Sequence, residues 1–172
     1  MTPVSLFYDY LIQPGRTLAI HFQQAIGIST ALVIFLLAFL WPANLVNAGI
    51  GIHILGMIII SFICLYQSWA IDWIAQVCGH SSQSAALFRW LPFSYLPFTL
   101  SIPLERLLPD SFLNFLILAL VIYLQVITVR RAYQNISATQ QWLVLTSPYF
   151  LILGLPIIFI SMIVITVLLL AL

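Results

Sequence analysis

Apolar residues run along this chain in long blocks, separated by short polar breaks that hold most of the charge. A helix needs about 20 apolar residues to cross the ~30 Å hydrocarbon core of a bilayer at 1.5 Å per residue. Five blocks meet or approach that length. They cover roughly 25–41, ended by Trp41-Pro42; 49–70, continuing in polar form to Gln76; 87–104; 112–129, stopped by Arg130-Arg131; and 143–172. The pattern predicts an all-α fold: a polytopic membrane helix bundle of five transmembrane helices, forming a single integral membrane domain over residues 1–172. The third block contains Pro92, Pro97 and Pro103. Proline removes a helix hydrogen bond, so a kinked crossing or a re-entrant, broken helix is expected there. The fifth block carries Pro148 and Pro156, and its almost wholly aliphatic end, 157–172, is expected to face lipid. Ahead of the first block, Val4, Phe7, Tyr8, Leu11 and Ile12 share one helical face and Ser5 and Asp9 another. This predicts a short amphipathic N-terminal helix lying on the membrane surface, ended by Pro14-Gly15.

Composition makes the bilayer the solvent. The 172-residue chain is 63% hydrophobic and 5% charged, with a mean hydropathy of +1.16. Soluble domains carry about 25% charged residues, and a chain this poor in charge cannot cover a water-facing surface. The net charge of +1 offers no electrostatic basis for binding nucleic acid. No positive charge precedes Asp9, so a cleavable signal peptide is not expected.

The arginines set an orientation. With the N-terminus cytoplasmic and five crossings, Arg16, Arg89, Arg130 and Arg131 fall on the cytoplasmic side. Only Arg106 falls outside, beside Glu105 and Asp110. This positive-inside bias places the C-terminus in the periplasm or outside, in a bacterial inner (plasma) membrane. Trp41, Trp69, Trp73, Trp90 and Trp142 lie near predicted span ends, where interfacial aromatics are expected.

One span has an organised polar face. His53, Met57, Ser61, Cys64, Ser68, Asp72 and Gln76 follow steps of three or four, so they share one side of the second helix. Such a strip should face protein or a wet cavity rather than lipid. Gly49, Gly51 and Gly56 would permit close backbone approach. The candidate polar face is therefore His53, Ser61, Cys64, Ser68 and Asp72, read either as a lined pathway or as polar contacts between helices. At the inner end, Asp72, Arg89, Gln125 and Arg130 form a candidate charge cluster. An Asp72–Arg89 or Asp72–Arg130 pair would hold the helix ends together, unless Asp72 simply reaches water. In the fourth span Asn114, Gln125 and Thr128 are compatible with one inward face.

Catalytic and metal motifs are scarce. There is no Gly-rich phosphate loop, His-Glu-x-x-His helix or Gly-x-Ser-x-Gly elbow. His21, His53 and His80 fall at different depths, and Cys64 and Cys78 form no disulfide framework. No cofactor, metal or catalytic residue is expected. Asn135-Ile136-Ser137 matches a glycosylation pattern but falls in a cytoplasmic loop.

The order of features resembles the Yip family, the Ypt-interacting-protein type of five-span membrane domain. The carrying segments are Leu11-Ile12-Gln13-Pro14 before the first span and Val77-Cys78-Gly79 after the second. Next come Ser94-Tyr95-Leu96-Pro97 with Pro103 in the third and Tyr123-Leu124-Gln125-Val126-Ile127-Thr128 in the fourth. Thr146-Ser147-Pro148 opens the last. The chain departs from that pattern in its single Gly79, where a glycine pair is often found. The long cytoplasmic N-terminal region of eukaryotic relatives is missing, which bears against a Rab-binding role. The resemblance implies five spans with the N-terminus inside.

The expected function is non-enzymatic: a scaffold or accessory subunit of a membrane complex. Its partners would be the bilayer and either other membrane proteins or further copies of the chain, with no nucleic acid. The alternative is a transport component for a small solute, ion or lipid, using the broken third segment and the polar strip. An intramembrane enzyme would need a nucleophile, base and orienter at one depth, and no histidine joins Ser68, Cys64 and Asp72.

Overall fold

The computed structural model describes residues 3–24, 27–40, 50–100, 110–152 and 154. Every regular element among them is helical. In chain order these are α1 (Pro3–Ile12), α2 (Pro14–His21), α3 (Gly27–Leu40), α4 (Ile50–Val77) and α5 (Ser84–Ser94). A 3-10 turn (Leu96–Leu100), α6 (Asp110–Ala132) and α7 (138–152) follow. Trp41-Pro42, Gly49, the 101–109 stretch with Pro103 and Arg106, Pro156 and the aliphatic 157–172 segment lie outside the described residues.

Two helices, Gly51–Val77 and Phe112–Ala132, are long and apolar enough to cross a membrane. Only 33% and 39% of their most apolar stretches are buried inside the protein. The core helix of a soluble protein would hide most of such a surface. α3, with 14 residues, spans roughly 21 Å at 1.5 Å per residue. Its Ala38 meets α4 at Gly56, where an added Cβ would lie 3.6 Å from the alanine side chain, so the two backbones come close. Gly51 has no such neighbour within 4 Å.

The third predicted span takes the broken form. α5 is only 11 residues long, roughly 16 Å, and gives way to the 3-10 turn after Tyr95. It contains Pro92, whose missing N–H frees a carbonyl one turn earlier. Such a helix is tolerable where protein surrounds it, and α5 packs against α3, α4 and α6. Seven of its eleven residues are buried, including Trp90, Leu91 and Phe93.

α1 is helical as expected, and a second face of it packs into the bundle. Leu6 and Tyr10, one turn apart, point into the bundle, while Tyr8, Leu11 and Ile12 are exposed. The reason is aromatic packing. Tyr10 is 0% exposed, stacks on Trp90 at 5.7 Å and meets Phe93 edge-on at 5.5 Å. Phe7 also meets Phe93 edge-on, at 5.6 Å. The Thr128 hydroxyl donates to Leu124 O at 2.8 Å, so its single hydrogen is used. The Tyr10 hydroxyl therefore donates to Thr128 Oγ1 across 3.0 Å. Burial pushes the Tyr10 phenol well above its ordinary value, with the Thr128 bond opposing. Tyr10→Phe removes that one hydrogen bond and keeps the ring. A loss of about 1 kcal/mol is expected, read from denaturant unfolding in mild detergent.

Pro14 ends α1 as expected and also opens α2, where its missing N–H costs nothing at the first helical turn. Trp90, near a predicted span end, is no interfacial anchor. Its ring is fully buried and its indole N–H donates to Phe22 O at 3.2 Å. Trp69 and Trp73 are exposed on α4 and stack on each other at 5.8 Å.

Candidate functional site

Polar side chains in an apolar bundle need internal partners, because lipid offers none. Several hydroxyls satisfy this within their own helices. Ser68 Oγ donates to Cys64 O at 2.7 Å, Ser94 Oγ to Leu91 O at 2.6 Å and Ser147 Oγ to Val144 O at 2.7 Å. Back-bonding of this kind occupies the hydroxyl hydrogen and leaves the group poorly placed to act on a ligand.

The polar strip of α4 is buried in part and faces protein. Cys64, Ser68 and Asp72 are buried, His53, Met57 and Ser61 half-buried, and Gln76 is exposed. Against it lie α3 and α5. Gln67, which the strip omitted, is also buried and accepts a hydrogen bond from Tyr95 Oη at 2.6 Å. Gln125, buried on α6, lies near the same Tyr95 hydroxyl, so polar side chains of α4, α6 and the segment after α5 come together. Asn114, placed with Gln125 on one inward face, is exposed.

Asp72 is the centre of the second polar cluster. Its residue is 4% exposed. Oδ1 accepts from the Gln83 backbone N–H at 2.5 Å and from the Tyr133 hydroxyl at 2.7 Å. Oδ2 accepts from Gln76 Nε2 and Ser82 Oγ, each at 2.7 Å. These four donors do the work expected of an arginine. Asp72 does not simply reach water, and it pairs with neither Arg89 nor Arg130. Arg89 Nη1 donates instead to Gln24 O at 3.5 Å, and Arg130 is exposed. Arg131 Nη2 donates to Ala19 O at 3.0 Å, in the last turn of α2. Arg131 thus satisfies a helix-end carbonyl, which a cation at a C-terminus favours.

The turn after α4 explains how Ser82 and Gln83 reach back to Asp72. Gly79 adopts φ +90°. Its N–H donates to Gln76 O at 2.9 Å, and the His80 N–H to Ala75 O at 3.0 Å. This pair of bonds closes the helix in a Schellman motif and reverses the chain. Nothing lies within 4 Å of a Cβ at Gly79, so only backbone strain opposes a side chain there. Gly79→Ala should cost about 1–2 kcal/mol, measured as a lowered midpoint of thermal unfolding.

Tyr133 lies just past the end of α6. Its hydroxyl is pushed well above the usual tyrosine range, first by burial and then by the Asp72 hydrogen bond and charge. The raised value keeps it a neutral donor. Its stabilising contribution is complete below the unfolded value of 10.0 and falls as pH rises above it. Alkaline unfolding should therefore begin above pH 10, and Tyr133→Phe should flatten that limb when stability is followed against pH.

Beside this cluster opens a cavity of about 350 Å³, between the end of α2, the turn after α4 and the end of α6. Gln23, His80, Ser81, Gln83, Arg131 and Tyr133 line it. Gln83 and Tyr133 therefore serve twice, as Asp72 donors and as cavity wall. Sequence spacing could not show this, because Tyr133 lies 61 residues from Asp72. Among the described residues no three metal-ligating side chains come together. No family model, curated protein or solved structure matches the chain.

Proposed function

We propose that the chain is an integral membrane protein of five crossings resembling the Yip family. It acts without catalysis, as a scaffold or accessory subunit through helix contacts. One observation carries this reading: the buried hydroxyls of Ser68, Ser94, Thr128 and Ser147 and the Asp72 carboxylate are spent on internal hydrogen bonds, while long faces of α4 and α6 present apolar side chains outward. Ile58, Phe62 and Leu65 on α4 and Phe115 and Leu118 on α6 are exposed. Surfaces of this kind suit lipid and the helices of other membrane proteins. The arginine bias supports a cytoplasmic N-terminus and an inner-membrane location.

The test is photo-crosslinking in native membranes from positions 62, 115 and 118. A discrete protein adduct, to another membrane protein or to a second copy, is the expected result. Lipid adducts alone at all three positions, with a monomer in gentle detergent, would count decisively against it.

A transport role is the second reading, favoured by the break between α5 and the 3-10 turn beside the Gln67–Tyr95–Gln125 layer. Unwound helices next to polar side chains are where transporters bind cargo. Proteoliposome flux that is lost on replacing Ser61, Ser68 and Asp72 would support it over the scaffold.

A further inference from the structure

We propose that the cavity beside Asp72 binds a phosphate oxyanion, either the headgroup phosphate of an anionic lipid or a free phosphate. Its volume, about 350 Å³, lies within the ~300–1,000 Å³ range of ligand sites. The lining contains a guanidinium, an imidazole, a hydroxyl and side-chain amides, and no carboxylate. Arg131 spends one guanidinium nitrogen on Ala19 O, and the rest of its fork of N–H groups remains for a ligand. His80 contributes a ring held 5.6 Å from Tyr133. Ser81 adds an exposed hydroxyl.

Charge favours an anion over a cation. Arg131 is the permanent charge in the lining. Asp72 stands behind the wall, and its own oxygens are already filled by four donors, two of them on the wall residues Gln83 and Tyr133. It therefore offers no ligand position to a metal ion. Its negative charge opposes an anion in the cavity, and Arg131 supplies the compensation. An Arg fork beside neutral donors is the arrangement that recognises phosphate oxygens.

The lipid source rests on the membrane reading above; the free-phosphate source does not. The full chain is purified in a maltoside detergent without phosphate. Inorganic phosphate is titrated calorimetrically, and binding is also measured in nanodiscs containing phosphatidylglycerol against nanodiscs of phosphatidylcholine alone. Saturable one-to-one binding of inorganic phosphate identifies the free ion. Selective retention of phosphatidylglycerol without phosphate binding identifies the lipid. Ser81→Asp places a carboxylate in the lining without removing any fold hydrogen bond, and should weaken whichever binding is found at least tenfold. Arg131→Gln should do the same. Wild-type protein that binds neither probe, or Ser81→Asp that binds as tightly as wild type, overturns the proposal. Failure of the lipid arm with success of the phosphate arm leaves the site intact and removes only its membrane source.

Discussion

Asp72→Ala should destabilise the bundle by about 3–5 kcal/mol, among the largest single effects in this chain. The carboxylate is the acceptor for Gln76, Ser82, the Gln83 N–H and Tyr133. Removing it leaves the Gln83 N–H and the Tyr133 hydroxyl without their acceptor in a poorly solvated place. Each buried donor left unsatisfied costs about 1–3 kcal/mol; the exposed Gln76 can turn to water and contributes little. The turn from Gly79 to Gln83 also loses the tie that brings it back onto α4. Asp72→Asn keeps one acceptor oxygen but directs an amide N–H₂ at groups that are themselves donors, so its loss should be substantial and smaller. Denaturant unfolding in mild detergent, followed by tryptophan fluorescence, measures both. Equal stability of Asp72→Ala and wild type would show that the four donors find water instead.

Trp90→Ala should cost about 3–5 kcal/mol through the cavity it leaves. The ring is 0% exposed and lies at the meeting of α1, α5 and the segment after α2. It stacks on Tyr10, contacts Phe93 at 5.1 Å and satisfies the Phe22 carbonyl. Truncation removes the packing surface on which α1 docks, so α1 should loosen before the bundle opens. Hydrogen exchange should then rise over Pro3–Ile12 while the middle of α6 stays protected. Trp90→Phe keeps an aromatic ring against Tyr10 but loses the indole hydrogen bond and part of the buried ring volume, so it should recover part of the lost stability. Unchanged exchange in α1 would place its docking energy elsewhere.

The two effects differ in how far the residues were legible beforehand. Asp72 was conspicuous as a carboxylate near the end of a long apolar block, and its place on the buried strip follows from helical period. Its partners were not legible. An arginine was the chemically obvious choice, yet a side-chain amide, a hydroxyl, a backbone N–H and a phenol serve together. Three of those four donors reach Asp72 only because Gly79 reverses the chain and α6 ends beside it. Trp90 was misplaced for a related reason. Proximity to a span end suggests an interfacial aromatic, but α5 is short and enclosed, so the end of this segment lies inside protein. On α1, residue pattern identified a helix but not its buried side. Tyr10 is amphipathic, and only the Trp90 and Phe93 rings decide that its ring goes in.

What the sequence by itself determined is what local physics can determine. Runs of apolar residues define helices, and proline interrupts the third block; that α3 and α5 are shorter than α4 and α6 emerges only in the structure. Tertiary structure alone decided which groups meet. The Asp72 clamp, the Gln67–Tyr95–Gln125 layer and the cavity beside Asp72 join residues far apart in the chain. Hydropathy and period are properties of a segment; a hydrogen bond between Tyr133 and Asp72 is a property of how two segments pack, and nothing within either segment encodes the distance between them.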